Sequence, residues 1–266
     1  MKANDQVAVS EAKRIRFRGL FEEYAGDYLA DKGEWHLDFY RRSREAGREN
    51  FREVVAAAER GEDITDLVLL KLLPHRDTQR NRDRGAWIHV APAINGDVKD
   101  WFEGAGWTEP EEWPRIAEAI LHFVRRCNEH PEQLKAACEE FVSLPYTTGF
   151  QTRMLTPILN ALRPDDFLLI NNKSRDTINY FAGTSWQQKL VDYPDTNATG
   201  FALIEALSDT MHQFDVSDIR DPDPFDIFCH WLVAERDFEF EPIRYWKVAP
   251  GQDAWQWDEW RDEGFI

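Results

Sequence analysis

The sequence predicts a mainly α-helical protein: a multi-helix, bundle-like domain with one irregular basic loop region and a short α/β-type segment at the C-terminal end. Three observations carry this expectation. Large apolar residues recur at intervals of three and four, as in Trp113, Ile116, Ile120, Phe123 and Val124, and a helix places such positions on one face. Prolines stand at the edges of several of these runs, at Pro74, Pro131 and Pro164, where a helix tolerates them. Short apolar runs that would suit strands are few, chiefly Ala86–Ala91, Phe167–Ile170 and Ile243–Val248.

Taken in order, Phe17, Leu20, Phe21, Tyr24 and Tyr28 mark a first helix, and Phe51, Val54 and Val55 a second after the charged block Arg41 to Glu49. Gly61 with Asp63 opens a third through Leu67, Leu70 and Leu73, closed by Pro74. Periodicity then disappears between His75 and Gly106, where Ala86–Ala91 reads as a strand or a buried loop. Thr108 with Glu111 has the spacing of a capping box, and Pro110 suits the first turn of the helix carrying Trp113 to Val124. Helices beginning at Pro131 and spanning Met154–Leu162 complete a bundle with short loops. After the apolar stretch Phe167–Ile170, Ser174 is expected to cap a helix through Ile178 and Phe181, and another runs from Gly200 to Phe214. Asp221-Pro222-Asp223-Pro224 reads as an extended link into a helix bearing Phe225, Phe228, Trp231 and Leu232. The expected organisation is a helical domain over 1–220, with a possible division near 106, an acidic helix and linker over 221–242, and a separate segment over 243–266.

Composition narrows the function. The 266 residues are 42% apolar, enough to bury a full core. No run of about 18 apolar residues is present and the start is polar and acidic, so no membrane span or signal peptide is expected and the cytoplasm is the expected location. Cys127, Cys138 and Cys229 lack ligand spacing and read as buried thiols; no metal and no cofactor is expected. The net charge of -17 is uneven: 1–90 are balanced, and most of the acidity lies beyond Phe201. Such a balance opposes general nucleic-acid binding, which needs a positive face, and leaves room for a local basic patch.

The best such patch is Lys71, Arg76, Arg80, Arg82 and Arg84 with His75, Trp87 and His89 nearby. Guanidinium forks contact phosphates and an adjacent ring can stack on a base; the alternative is a solvated loop salt-bridged to acids. A second group is Arg153 with Lys173, Ser174 and Arg175, at a helix start whose N–H groups suit a phosphate. There the alternative is that the asparagines and Ser174 only make a turn and a cap. Trp101, Trp107 and Trp113 suit core packing better than a base-stacking cage. Nucleotide-binding glycine loops, zinc-protease and nucleophile-elbow motifs are absent, and Pro164-Asp165 with Asn171-x-Lys173 has the wrong spacing and an amide in place of an acid for a metal-dependent nuclease. No catalytic residue is expected.

The stretch from Gly149 through Arg163-Pro164-Asp165-Asp166-Phe167 to Asn171-Asn172-Lys173-Ser174-Arg175 resembles the region preceding the motor of McrB-like AAA+ proteins of modification-dependent restriction. The end, Tyr245-Trp246-Lys247-Val248-Ala249-Pro250-Gly251 to Trp260, resembles the first strand and helix of an EVE/PUA-like domain. The resemblance is best over Leu144–Phe181 and Tyr245–Ile266 and looser from Leu69 to Phe123. It implies a non-catalytic N-terminal module in restriction or phage defence, recognising DNA, including modified DNA, beside a downstream AAA+ motor domain or partner protein. The alternatives are an assembly module docking through the acidic stretch Asp209–Glu241 and, more weakly, a hidden metal-dependent hydrolase or nuclease.

Overall fold

Ser10 starts the first helix by accepting a hydrogen bond from the Lys13 N–H at 3.4 Å. Helix α1 (Glu11–Tyr24) continues through a π-helical turn at Ala25–Leu29 into the long α2 (Ala30–Glu59). These coordinates, a computed structural model, describe residues 7–214 and 222–240. The remaining elements are α3 (Thr65–Lys71), α4 (Gln79–Asp83), α5 (Val98–Gly104), α6 (Trp113–Glu129), α7 (Leu134–Ser143), α8 (Thr152–Leu162), α9 (Asn172–Ala182), α10 (Tyr193–Met211) and α11 (Pro222–Ala234). The mainly α class expected from periodicity is the observed one. The resemblance to an EVE/PUA-like opening falls on 243–266, outside the described residues.

The helices share one core. Helix α2 packs on α8, α3 and α11, α6 packs on α3, α7 and α8, and α9 lies against α10 and α11. Phe17, Phe21, Tyr24, Phe181 and Phe228 are buried completely, with Phe17 edge-on to Phe181 at 5.4 Å and to Phe228 at 5.2 Å. Each such burial contributes about 1.5–3 kcal/mol, and tilted ring pairs add to it. Phe102 gathers Trp101, Trp107, Trp113 and Phe150 into a second aromatic group, so the clustered tryptophans pack rather than form a cage. All three cysteines are buried and free, and burial pushes the Cys127 thiol up to about 12.

Several local expectations shift. The capping box ahead of α6 is made by Glu109 and Glu112, one residue later than Thr108 and Glu111, and the Thr108 hydroxyl is buried without a partner. The region from His75 to Gly106 contains two short helices, α4 and α5, whose few turns show no apolar periodicity. In Ala86–Ala91 the backbone forms only an isolated bridge from Ile88 to His75. Helix α10 begins at Tyr193 rather than Gly200; Gly200 lies inside it, at a close approach where a Cβ would meet Leu168 Cδ1 at 2.5 Å. Asp223 and Pro224 belong to the first turns of α11 and are buried against the body, so they are no extended link. Beyond α11, Phe238 and Phe240 pack on Tyr180 at 5.5 and 5.7 Å.

The stretch Phe167–Ile170 is extended and buried, with no neighbouring strand among the described residues. Buried backbone groups must still be paired, and here side chains from two helices do it. Asn160 of α8 donates to the Phe167 carbonyl at 2.7 Å, Asn197 of α10 accepts from the Leu168 N–H at 2.7 Å, and Thr156 of α8 accepts from the Ile170 N–H at 3.1 Å. The Tyr193 hydroxyl donates to the Leu168 carbonyl at 3.0 Å. This pinned segment sets the position of Asn171 and hence of α9.

Candidate nucleic-acid interface

The basic segment is not a loose loop. His75 is buried; its N–H donates to the Trp87 carbonyl at 2.9 Å, its carbonyl accepts from the His89 N–H at 3.1 Å, and its Nε2 lies 2.9 Å from the Leu69 carbonyl. The Arg76 N–H donates to Ile94 at 2.8 Å. Thr78 caps α4, and the buried Asn81 donates to the Arg76 carbonyl at 2.9 Å. Backbone and buried side chains thus fix where the arginines leave the surface.

Their side chains divide by partner. Arg82 holds Asp77 through two hydrogen bonds of 2.5 and 2.7 Å, which pull the Asp77 carboxyl below its usual range. Arg84 pairs with Asp97 at 2.7 Å, and Lys71 with Glu53 at 3.4 Å. Arg76 and Arg80 are exposed and make no ion pair with a described residue. Trp87 is only 3% exposed, with its indole N–H donating to the Ser43 carbonyl at 3.0 Å. It is a core residue, and no face remains for a base.

The second group serves the fold more than an open phosphate site. Asn171, rather than Ser174, caps α9: its Oδ1 accepts from the N–H groups of Lys173 and Ser174 at 2.8 and 3.3 Å. The Ser174 hydroxyl is buried, accepting from the Asn171 N–H at 2.9 Å and donating to the Leu169 carbonyl at 3.2 Å. Two donors that a phosphate would use are therefore occupied. Arg175 pairs with Asp176 at 2.7 Å, and Arg153 is half-buried with its Nε unpartnered. Lys173 reaches α11, its Nζ 2.9 Å from His230 Nδ1. Among the described residues no group of three His, Cys, Asp or Glu side chains is placed to hold a metal ion.

A buried polar network escaped the reading of the sequence. Arg44 of α2 makes a two-pronged ion pair with Asp223 of α11, one prong at 2.9 Å, and its Nε donates to Asn160 Oδ1 at 3.1 Å. Next to it the Tyr40 hydroxyl donates to Asp226, whose carboxyl burial pushes up to about 6. The available signal was a cation on an apolar stripe: His36, Tyr40, Arg44 and Gly47 follow helical spacing and all are buried.

These groups set a pH response. Burial lowers His89 to about 3 and His230 to about 4. Both stay neutral in the fold, so their contribution is complete above the ordinary imidazole range near 6.5 and is lost as pH falls towards those values. Asp226, raised to about 6, works the other way: its ionised form is unfavourable in the fold above that pH, and protonation relieves it below. Two histidines outweigh one carboxyl, with His36 and His75 lowered by burial in the same direction. The expected result is a melting temperature that drops between about pH 6.5 and pH 5, with net proton uptake on unfolding. Calorimetry at several pH values checks this, and a rise over that window would give Asp226 the larger share.

No family model, curated protein or solved structure matches the chain.

Proposed function

We propose that this chain is a non-catalytic nucleic-acid recognition module, of the kind used in restriction or phage defence, which contacts the phosphate backbone through Arg76 and Arg80. The observation that supports this is a pair of exposed guanidinium groups that form no ion pair with a described residue, carried on a segment pinned by His75, Asn81 and Thr78. Orientation fixed in advance lowers the cost of ordering those side chains on binding. Arg82 and Arg84, with their acids, shape the segment rather than contact the ligand.

A ligand held by two such contacts has a shallow salt dependence, with a slope near -2 in log affinity against log salt. Fluorescence anisotropy against double-stranded DNA, unmodified and cytosine-methylated, at low and moderate salt tests the proposal. Changing Arg76→Glu and Arg80→Glu together is expected to weaken binding by about tenfold or more at low salt, with no change in melting temperature. Equal affinity of parent and variant removes the proposal. Absence of any binding at low salt favours docking of the acidic stretch Asp209–Glu241 on a basic partner.

A further inference from the structure

On the side of the molecule where α2, α9 and α11 meet, Lys173 makes a contact unusual for a lysine. Its ammonium carries only donors, and it meets an imidazole rather than a carboxylate: Nζ lies 2.9 Å from His230 Nδ1. His230 Nδ1 must then accept, which leaves its proton on Nε2. His230 stands ring to ring with His36 of α2 at 5.5 Å. The Tyr28 hydroxyl reaches His36 Nδ1 at 3.1 Å, so a donating Tyr28 leaves His36, too, with a proton on Nε2. Lys32, one turn before His36, places its ammonium over the Tyr28 ring at 5.1 Å.

Three helices thus bring two ammonium groups and two imidazole N–H donors together, and neither Nε2 has a hydrogen-bond partner among the described residues. Two acids face the cluster. Asp226 is half-buried and occupied by the Tyr40 hydroxyl, and Glu235 is exposed just beyond α11. Neither forms an ion pair with Lys173 within bonding distance among the described residues. Lys173 and Lys32 disfavour a positive charge on His36 and His230, while Glu235 opposes them at His36.

The geometry points to an oxyanion site here, in which Lys173, His230 and His36, with Lys32 at the rim, bind a phosphoryl group. It stands apart from the arginines of the α4 segment and does not rest on them. A phosphate oxygen accepting from Lys173 makes a charge-assisted hydrogen bond, and bonds of this kind are the strong ones. The group can come from a free phosphate monoester or from a phosphodiester within a nucleic-acid strand.

The experiment follows the histidine ring signals of the full chain by NMR through a pH titration, without and with inorganic phosphate, and with a short single-stranded oligonucleotide lacking terminal phosphates. Phosphate binding is expected to raise the pH midpoints of His36 and His230 and to leave buried His89 unmoved. Lys173→Gln, a change at a half-exposed position, is expected to weaken binding by roughly tenfold while preserving the melting temperature, and Lys32→Gln to weaken it less. Midpoints moved by inorganic phosphate alone assign a monoester ligand, and midpoints moved by the oligonucleotide assign strand phosphates. The inference is overturned if neither ligand moves them, if exposed His122 and His130 move equally, or if Lys173→Gln binds as well as the parent. Arg76→Glu with Arg80→Glu serves as the separating control: the oxyanion response is expected to survive it even where duplex binding is lost.

Discussion

Replacing Arg44 with methionine is expected to lower the unfolding free energy by about 3–5 kcal/mol, because removing one member of a buried ion pair strips the other charge of its counter-ion. Arg44 and Asp223 have side-chain exposures of only 10% and 11%. Methionine keeps most of the aliphatic stem, so the loss reports the guanidinium rather than a cavity. The same cation holds Asn160, which in turn holds the Phe167 carbonyl, so the variant also loosens the extended segment before α9. Chemical denaturation measures the change. The double variant Arg44→Met with Asp223→Leu is expected to recover much of the loss, since a matched apolar pair has no buried charge to solvate. A single-variant cost below about 1 kcal/mol would show that the pair is wet and peripheral, in the range of surface ion pairs.

Gly149→Ala is expected to cost roughly 2–4 kcal/mol. Gly149 has φ +91°, a conformation that disfavours an L side chain by about 1–2 kcal/mol. A Cβ at this point would collide with the Trp107 ring, lying 2.9 Å from Cζ3, and would sit 3.0 Å from Phe102 Cε1. Both rings belong to the aromatic group around α5, and overpacking such a group costs about 1–3 kcal/mol. Gly104→Ala is the control: at the end of α5, with no atom within 4 Å of the added carbon, it is expected to be neutral or slightly stabilising. Thermal melts of the two variants side by side decide it, and equal melting temperatures would mean that the turn before α8 relaxes freely.

The helical parts of the fold were legible wherever a long face repeats. Trp113 to Val124 in α6 and Met154 to Leu162 in α8 read correctly because every turn places an apolar side chain on one stripe. The short helices α4 and α5 did not, since five to seven residues are too few for a period to show. Caps were misread by small offsets at Thr108 and Ser174: a nearby residue whose side-chain oxygen can also accept, Glu109 or Asn171, competes for each end, and only the path of the incoming chain selects between them. At the basic segment the residue types were visible, but their availability was not. Arg82 and Arg84 carry the same charge as Arg76 and Arg80, and the acids that occupy them, Asp77 and Asp97, are identified by contact alone.

By itself, the sequence determined the mainly α class, the buried thiols and the position of helices such as α6 and α8, because periodicity and burial are local properties of a chain that must hide apolar surface. Only the tertiary structure decided which polar groups are spent. It buried Trp87 against Ser43, joined Arg44 to Asp223 across 179 positions, and set Lys173 against His230 rather than an acid. Such pairings depend on helix packing, which brings together side chains far apart in the sequence, and no spacing rule along one strand of residues can express them.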